Sequence, residues 1–257
     1  MTPTMVADGP DEVRKTARLI AKMHVDNMKI FVSGGIGSIG DMPGVTKYTE
    51  AEVRAAVEVA EAEGLTSGAH VHGTEGIKVA IRAGITSIEH GTMMDEEGVA
   101  MMVEHGTYLT PTLMAGFGIF DEDPATVRPE TLEKTKIATA NHEKMFQLAI
   151  ESGVKIVFGT DAIGMHDNLH GMQAREFSYM LRHGMTAKMA IRSATVTAAQ
   201  LLRKEDLIGS LEAGKCADII AVKENPLENI KTLEQVDFVM KDGTVYKQDG
   251  KTSYRLD

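Results

Sequence analysis

The chain has 257 residues, of which 43% are hydrophobic, enough to bury the core of one large domain or of one domain with a small appendage. Its net charge of −10 and the lack of an apolar run of roughly 18 residues argue against nucleic acid or membrane partners. The single cysteine excludes an internal disulfide and is typical of the reducing cytoplasm, where we expect this protein to act.

Strand and helix patterns alternate along residues 1–205, whereas residues 206–257 contain short strand patterns separated by turns. We therefore predict an α/β domain followed by a small β module. The first part contains five predicted strands, which have at their ends Lys29, His70, His90, Pro111 and Asp161. Helix patterns lie between these strands, and the longest predicts one helix over residues 130–152. Such strand–helix units form a parallel sheet, and a closed barrel of them needs eight strands.

A glycine-rich segment, residues 33–40, follows the first predicted strand. It lacks the Lys-Ser/Thr ending of a phosphate-binding loop, and no helix pattern follows it directly. We therefore interpret this segment as a mobile loop over the end of the sheet rather than as a phosphate site.

Two histidines, His70 and His90, lie at the ends of consecutive predicted strands, and a glycine follows close behind each. The carboxyl ends of parallel strands meet at one edge of a sheet, so both imidazoles can face the same metal ion. A histidine at a strand end is also often a hydrogen-bonded packing residue, and this alternative remains open. His72 follows in the turn after His70, where it can reach a substrate or fill space at a helix start.

Lys29 and Asp161 lie at the ends of two further predicted strands. Asp161 can bind a dication and take a proton from metal-bound water, whose pKa falls towards about 7. Lys29 is no ligand as an ammonium, but burial at the mouth of the sheet can remove its proton. The neutral amine can add CO₂ and become a carbamate with two oxygen ligands. The alternative is an ion pair between Lys29 and an acidic side chain across the mouth.

Four motifs occur in an order that resembles the amidohydrolase superfamily. They comprise residues 29–35 (KIFVSGG), 69–73 (AHVHG), 88–91 (IEHG) and 158–161 (FGTD). Within the superfamily they are similar to the prolidase-like and imidazolonepropionase-related dipeptidases, and the similarity covers nearly the whole chain. The resemblance implies a TIM (β/α)8-type barrel, of which residues 1–205 would supply strands four to eight. Residues 206–257 would be the C-terminal part of a small β-sandwich.

The resemblance also implies a binuclear site for divalent metal ions, with zinc as the expected ion. Lys29 would be a carboxylated lysine that bridges the two metals. His70 and His90 would be metal ligands, and Asp161 would be both a ligand and the catalytic proton shuttle.

Three further histidines are expected as neighbours of the substrate. From its place in the turn after His70, His72 would bind the substrate and take part in catalysis. His170 resembles a histidine near the substrate in this branch, and His166 in the same loop competes for that role. Asp167 lies beside His166, and we expect it to be a solvated acid.

The implied function is hydrolysis of an amide or peptide bond in a small substrate by metal-activated hydroxide. The substrate would be a dipeptide, an Xaa-Pro dipeptide or an N-acyl amino acid. The family's first strand carries a His-X-His pair, and no such pair precedes Lys29. A chain that lacks strands one to three would be a catalytically incomplete fragment, or half of a split assembly that forms with another chain or a second copy. A third hypothesis is an open five-stranded α/β domain that binds a ligand without metal.

Overall fold

The computed structural model describes residues 5–123, 125–162 and 169–253. Its helices are α1 (Pro10–Ala21), α2 (Glu50–Ala62), α3 (Thr74–Arg82), α4 (Glu96–His105), α5 (Leu113–Phe117), α6 (Pro129–Thr139), α7 (His142–Glu151), α8 (Arg175–Arg182), α9 (Ala187–Ser193) and α10 (Val196–Leu201). Its strands are β1 (Asn27–Phe31), β2 (Thr66–Val71), β3 (Ser87–His90), β4 (Tyr108–Thr110), β5 (Lys155–Ile156), β6 (Ile219–Ala221), β7 (Phe238–Lys241), β8 (Thr244–Gln248) and β9 (Lys251–Thr252). Two short 3₁₀ helices cover Gly118–Asp121 and Ile230–Glu234. Within the described ranges, no helix combines the length and the apolar character needed to cross a membrane.

The chain divides into two compact units. The first comprises Met1–Pro111 with Ile119–Ile156, and the second comprises Thr112–Gly118 with Val157–Asp257. The predicted domain boundary after residue 205 lies inside the second unit, so the division into domains at that point stays a prediction.

The first unit is built on a parallel sheet in the order β1-β2-β3-β4-β5. This confirms the predicted α/β class and the parallel arrangement of five strands. The assignment of these strands to positions four to eight of a barrel stays a prediction.

The strand register gives the sheet one apolar and one polar face. One row of paired residues crosses all five strands on the apolar face and consists of Ile30, Ala69, Ile88, Leu109 and Ile156. The adjacent row, on the opposite face, consists of Lys29, Gly68, Ser87, Tyr108 and Lys155. On the apolar side, Met28 packs in a buried cluster with Ala17 of α1 and Ala56 of α2. The helices therefore cover the apolar face, and Lys29 and His70 are left for the other face.

The second unit contains helices α5, α8, α9 and α10 and an antiparallel sheet in the order β6-β7-β8-β9. Asp242 and Gly243 join β7 to β8, both with positive φ (48° and 76°), as the Asp-Gly pair predicts for a tight hairpin. Whether this sheet is part of a β-sandwich stays a prediction.

A buried carboxylate orders the start of α5 in the second unit. Glu176 accepts hydrogen bonds from the backbone N–H groups of Leu113 and Met114 at 2.8 and 2.7 Å. Complete burial raises the pKa of Glu176 to about 8, although the two N–H groups oppose that rise. Glu176 therefore connects α8 to α5 through hydrogen bonds that favour its ionised form.

The long helix predicted over residues 130–152 is interrupted, and the structure has α6 and α7 in its place. Within α6, the Thr135 hydroxyl donates to the Thr131 carbonyl and the Thr139 hydroxyl donates to the Thr135 carbonyl, both at 2.8 Å. Such hydroxyl bonds compete with the helical ladder and bend helices. Asn141 then leaves the helical conformation with φ −117° and ψ 2°.

The start of α2 offers a test of local stability. Thr49 and Glu52 form a reciprocal capping box, and the Glu52 carboxylate also accepts the backbone N–H of Gly9. We expect Thr49→Ala to lower the free energy of unfolding by about 1 kcal/mol in urea titrations. Glu61→Ala, at an exposed position of the same helix, should change it by less than about 0.5 kcal/mol. Equal effects of the two substitutions would contradict a stabilising role of the capping box.

Candidate metal centre

Three histidines converge at the carboxyl ends of β2 and β3. One ligand nitrogen from each of His70, His72 and His90 lies within 4.8 Å of the other two. The His72 and His90 rings are stacked with centroids 4.8 Å apart, and the His70 ring meets both edge-on. The structure therefore brings together His70 and His90, the two predicted ligands, and adds His72 to the group.

Parallel pairing and an unusual backbone turn create this cluster. Val71 pairs with His90, so His70 and His72 flank the position opposite His90. His90 and Gly91 both have positive φ (73° and 61°), which turns the chain sharply at the end of β3. A left-handed conformation is uncommon for histidine, and such strained residues concentrate at functional sites.

Neighbouring groups hold the rings in place. His72 Nδ1 lies 2.9 Å from Thr92 Oγ1, and the His72 backbone N–H donates to Ser33 Oγ at 2.9 Å. The backbone of Gly34 forms a hydrogen bond with the His70 ring. In the described part of the chain, Nε2 of His70 is buried and has no hydrogen-bond partner. A buried polar atom without a partner is costly, and coordination of a metal ion would satisfy it.

Burial keeps these imidazoles neutral. It lowers the pKa of His70 to about 4, and the nearby Lys29 charge adds to this shift. It lowers the pKa of His72 to about 3, and it brings the pKa of His90 well below the ordinary value. A neutral ring is the form that binds a metal ion, so the cluster is ready for coordination at neutral pH. The chemistry of this donor set fits a divalent transition metal such as zinc.

A fourth histidine belongs to the surroundings of the cluster. His142 is only 2% exposed at the start of α7, and its electrostatic effect lowers the pKa values of His72 and His90 further. Sequence reasoning missed His142 because the pattern placed it in the middle of a long helix. It also missed Thr92, for which the only signal was its place two residues after His90.

Lys29 lies in the middle of β1 rather than at its end, and it is exposed. Its Nζ lies 6.0 Å from the centroid of the Phe31 ring. The burial expected for a carbamate-forming lysine is absent because β1 is the edge of the described sheet and Lys29 lies on its polar face. No acidic side chain in the described ranges forms an ion pair with it, so the structure does not support that alternative either. Its metal role stays a prediction.

The other predicted site residues belong to the second unit or to undescribed parts of the chain. Asp161 is exposed and has a positive φ of 50°, the kind of backbone conformation also found at His90. His170 is exposed in a turn before α8. His166 and Asp167 lie outside the described residues. The roles of Asp161, His170 and His166 therefore stay predictions.

Comparison with known proteins gives this geometry a context. Ochratoxinase of Aspergillus niger is 34% identical over 253 residues, which are 96% of this chain and 52% of that protein. A solved Xaa-Pro dipeptidase with methionine bound in its active site is 43% identical, with a TM-score of 0.87 over 94% of this chain and 59% of that one. A solved prolidase in complex with N-methylphosphonate-L-proline is 31% identical, with a TM-score of 0.84 over 95% and 60% of the two chains.

These matches extend over nearly all of this chain, yet it spans only about half the length of the curated relatives it matches. The family model for amidohydrolases matches residues 1–246, a range that contains every predicted site residue. The resemblance indicated by the four motifs is therefore confirmed, and the chain belongs to the amidohydrolase family.

Proposed function

We propose that this protein takes part in metal-dependent hydrolysis of an amide or peptide bond in a small substrate. The observation that carries the proposal is the cluster of His70, His72 and His90, whose nitrogens converge within 4.8 Å. The low pKa values of the three histidines and the unpartnered Nε2 of His70 support the binding of a metal ion by this cluster.

His70 and His90 would hold the metal ion, and Lys29 and Asp161 are the further ligands we propose for a binuclear site. Tetrahedral zinc with bonds of about 2.1 Å would separate its nitrogen ligands by about 3.4 Å. The ligand nitrogens of His70 and His90 lie within 4.8 Å of each other, which is close to that spacing. The chemistry that a divalent metal supplies when bound is a more acidic water molecule and a polarised substrate carbonyl.

His72 can act in either of two ways, depending on its tautomer. If Nδ1 donates to Thr92 Oγ1, the Nε2 lone pair is available to a metal ion or to a substrate proton. If Nδ1 accepts from the Thr92 hydroxyl, Nε2–H can donate to a substrate oxygen. We propose the second arrangement, in which His72 orients the substrate and stabilises negative charge that develops on its carbonyl oxygen. Asp161 would move the proton to the leaving amine, and His170 or His166 would contact the substrate.

The relatives favour a substrate that contains an apolar amino acid. One is named an Xaa-Pro dipeptidase and holds methionine in its active site, and another is a prolidase bound to a proline phosphonate. We therefore propose an Xaa-Pro dipeptide, another dipeptide or an N-acyl amino acid as the substrate class.

A second candidate is an incomplete site that needs another polypeptide. The group of three histidines contains no carboxylate, although the proposed binuclear site needs one as a further ligand. Under this hypothesis the chain binds metal through its histidines but hydrolyses its substrate only in an assembly.

Metal titration distinguishes ligands from substrate contacts. We expect His70→Asn and His90→Asn to lower the affinity for Zn²⁺ by at least about tenfold each, because each removes one nitrogen ligand. His72→Asn should lower it less, and His105→Asn at the exposed end of α4 should leave it unchanged. Calorimetric titration of the apo chain measures these affinities. Unchanged affinity in both the His70 and His90 variants would refute the assignment.

The affinity should depend only weakly on pH near neutrality. The pKa is about 4 for His70 and about 3 for His72, so both rings stay neutral at any pH well above 4. Protons therefore do not compete with the metal ion in that range. We expect the Co²⁺ affinity to change by less than about threefold between pH 8 and pH 6. Two imidazole ligands with an ordinary pKa of about 6.5 would lose roughly 16-fold over that range. A loss of that size would contradict the buried, neutral cluster.

Turnover separates the two functional candidates. Metal-loaded chain is assayed for release of free amino acid from Xaa-Pro dipeptides and N-acyl amino acids, with His90→Asn as the inactive control. Turnover that disappears in this variant supports a complete hydrolase. Metal binding without turnover supports the incomplete site, and the absence of both contradicts each candidate.

A further inference from the structure

We propose that Arg128, Glu130 and Lys134 clamp the β1–α2 loop (residues 33–46) over His70 and control how fast metal ions reach the histidine cluster. Arg128 immediately precedes α6, and the other two residues lie within its first two turns. The proposal rests on metal binding by the cluster, as proposed above, and adds a gate to it.

The base of the β1–α2 loop is closed by backbone hydrogen bonds. Ser33 and Thr46 form an isolated antiparallel bridge, and the Lys47 N–H donates to the Val32 carbonyl at 2.7 Å. Inside the loop, the Asp41 carboxylate accepts a hydrogen bond from the Gly35 backbone and forms an ion pair with Lys47 at 2.7 Å. The loop therefore has an ordered conformation, and its two ends are fixed to each other.

The loop lies directly against the unpartnered nitrogen of His70. A Cβ atom placed on Gly35 would be 3.8 Å from both Cε1 and Nε2 of His70. Gly34 is packed so closely that a Cβ there would lie 2.5 Å from the Met42 carbonyl oxygen. The Gly34 backbone forms a hydrogen bond with the His70 ring, and Nε2 of that ring is buried, so a metal ion that approaches Nε2 past Gly35 requires the loop to move.

Three side chains from the start of α6 hold the tip of the loop. Arg128 donates to the Gly37 carbonyl at 2.6 Å, and Lys134 donates to the Ser38 carbonyl at 2.7 Å. Glu130 accepts the Gly40 N–H at 3.2 Å and also pairs with Lys134 at 2.6 Å. Each of the three contacts with the loop backbone has one charged partner, and such hydrogen bonds are stronger than neutral ones.

Lys134 is the central residue of the clamp. Its side chain is only 5% exposed, an unusual position for a lysine, and its two partners are the loop carbonyl and Glu130. A buried ammonium that lost the loop carbonyl would lack a partner for one of its donors, and this cost favours the closed loop. Residues 33–40, which the sequence predicts to be a mobile loop, are thus held by backbone hydrogen bonds at the base of the loop and by charged side chains at its tip.

The test uses Arg128→Met, Lys134→Met and the double variant that carries both substitutions. Lys136→Met is the control. Lys136 is exposed on the same helix, so its substitution removes the same charge without touching the loop. Hydrogen exchange of a peptide covering residues 33–42 reports on the clamp without any metal. The rate at which bound Co²⁺ passes to excess EDTA reports on access.

We expect the double variant to accelerate both rates by about tenfold or more, because two charge-assisted hydrogen bonds are lost. Lys136→Met should leave both rates unchanged. Exchange of residues 131–139 is followed in parallel, and Arg128→Met, which lies outside the helix, shows whether the loop responds while α6 stays intact.

Unchanged exchange in residues 33–42 of the double variant would refute the clamp. Faster exchange with an unchanged rate of Co²⁺ transfer would refute the gate while leaving the metal site in place. If the unsubstituted chain binds no Co²⁺, the proposed function fails and the gate fails with it. The exchange data then still decide whether the clamp exists.

Discussion

The histidine cluster depends on the parallel pairing of β2 with β3. This register sets Val71 opposite His90, and the left-handed turn at His90 and Gly91 then brings the rings of His70, His72 and His90 together. A slip of one residue in this pairing would turn every side chain of one strand to the opposite face of the sheet. The three rings would then be separated. The apolar row that crosses the five strands favours this register, because a slip of one residue would remove apolar members from the face that the helices cover.

The cluster combines high burial with incomplete internal hydrogen bonding. Burial keeps the pKa values of the imidazoles low, and Nε2 of His70 has no partner within the described ranges. Such a site costs folding free energy, which the surrounding sheet and the hydrogen bonds of His72 with Ser33 and Thr92 offset. The same features favour a metal ion, since neutral nitrogens with free lone pairs bind it without first losing a proton.

The β1–α2 loop extends this design beyond the strands. Gly34 approaches the Met42 carbonyl more closely than a side chain would allow, and Gly35 lies beside the His70 ring. The charged residues at the start of α6, almost 100 positions further along the chain, hold the loop tip. The loop therefore connects the candidate metal centre to a helix that lies far away in the sequence and outside the four motifs.

The sequence by itself determined the α/β class, the parallel strands, the Asp-Gly hairpin and the family, since these follow from local periodicity, turn chemistry and four short motifs. It also predicted that His70 and His90 would meet, because the ends of consecutive parallel strands are neighbours. Only the tertiary structure decided that His72 joins them, that Lys29 is exposed on the edge strand and that α6 and α7 are separate helices. It also revealed the burial of His142 and the clamp on the loop. These features depend on backbone turns, on packing and on contacts between distant segments. A local pattern of residues contains no information about the energies of such contacts.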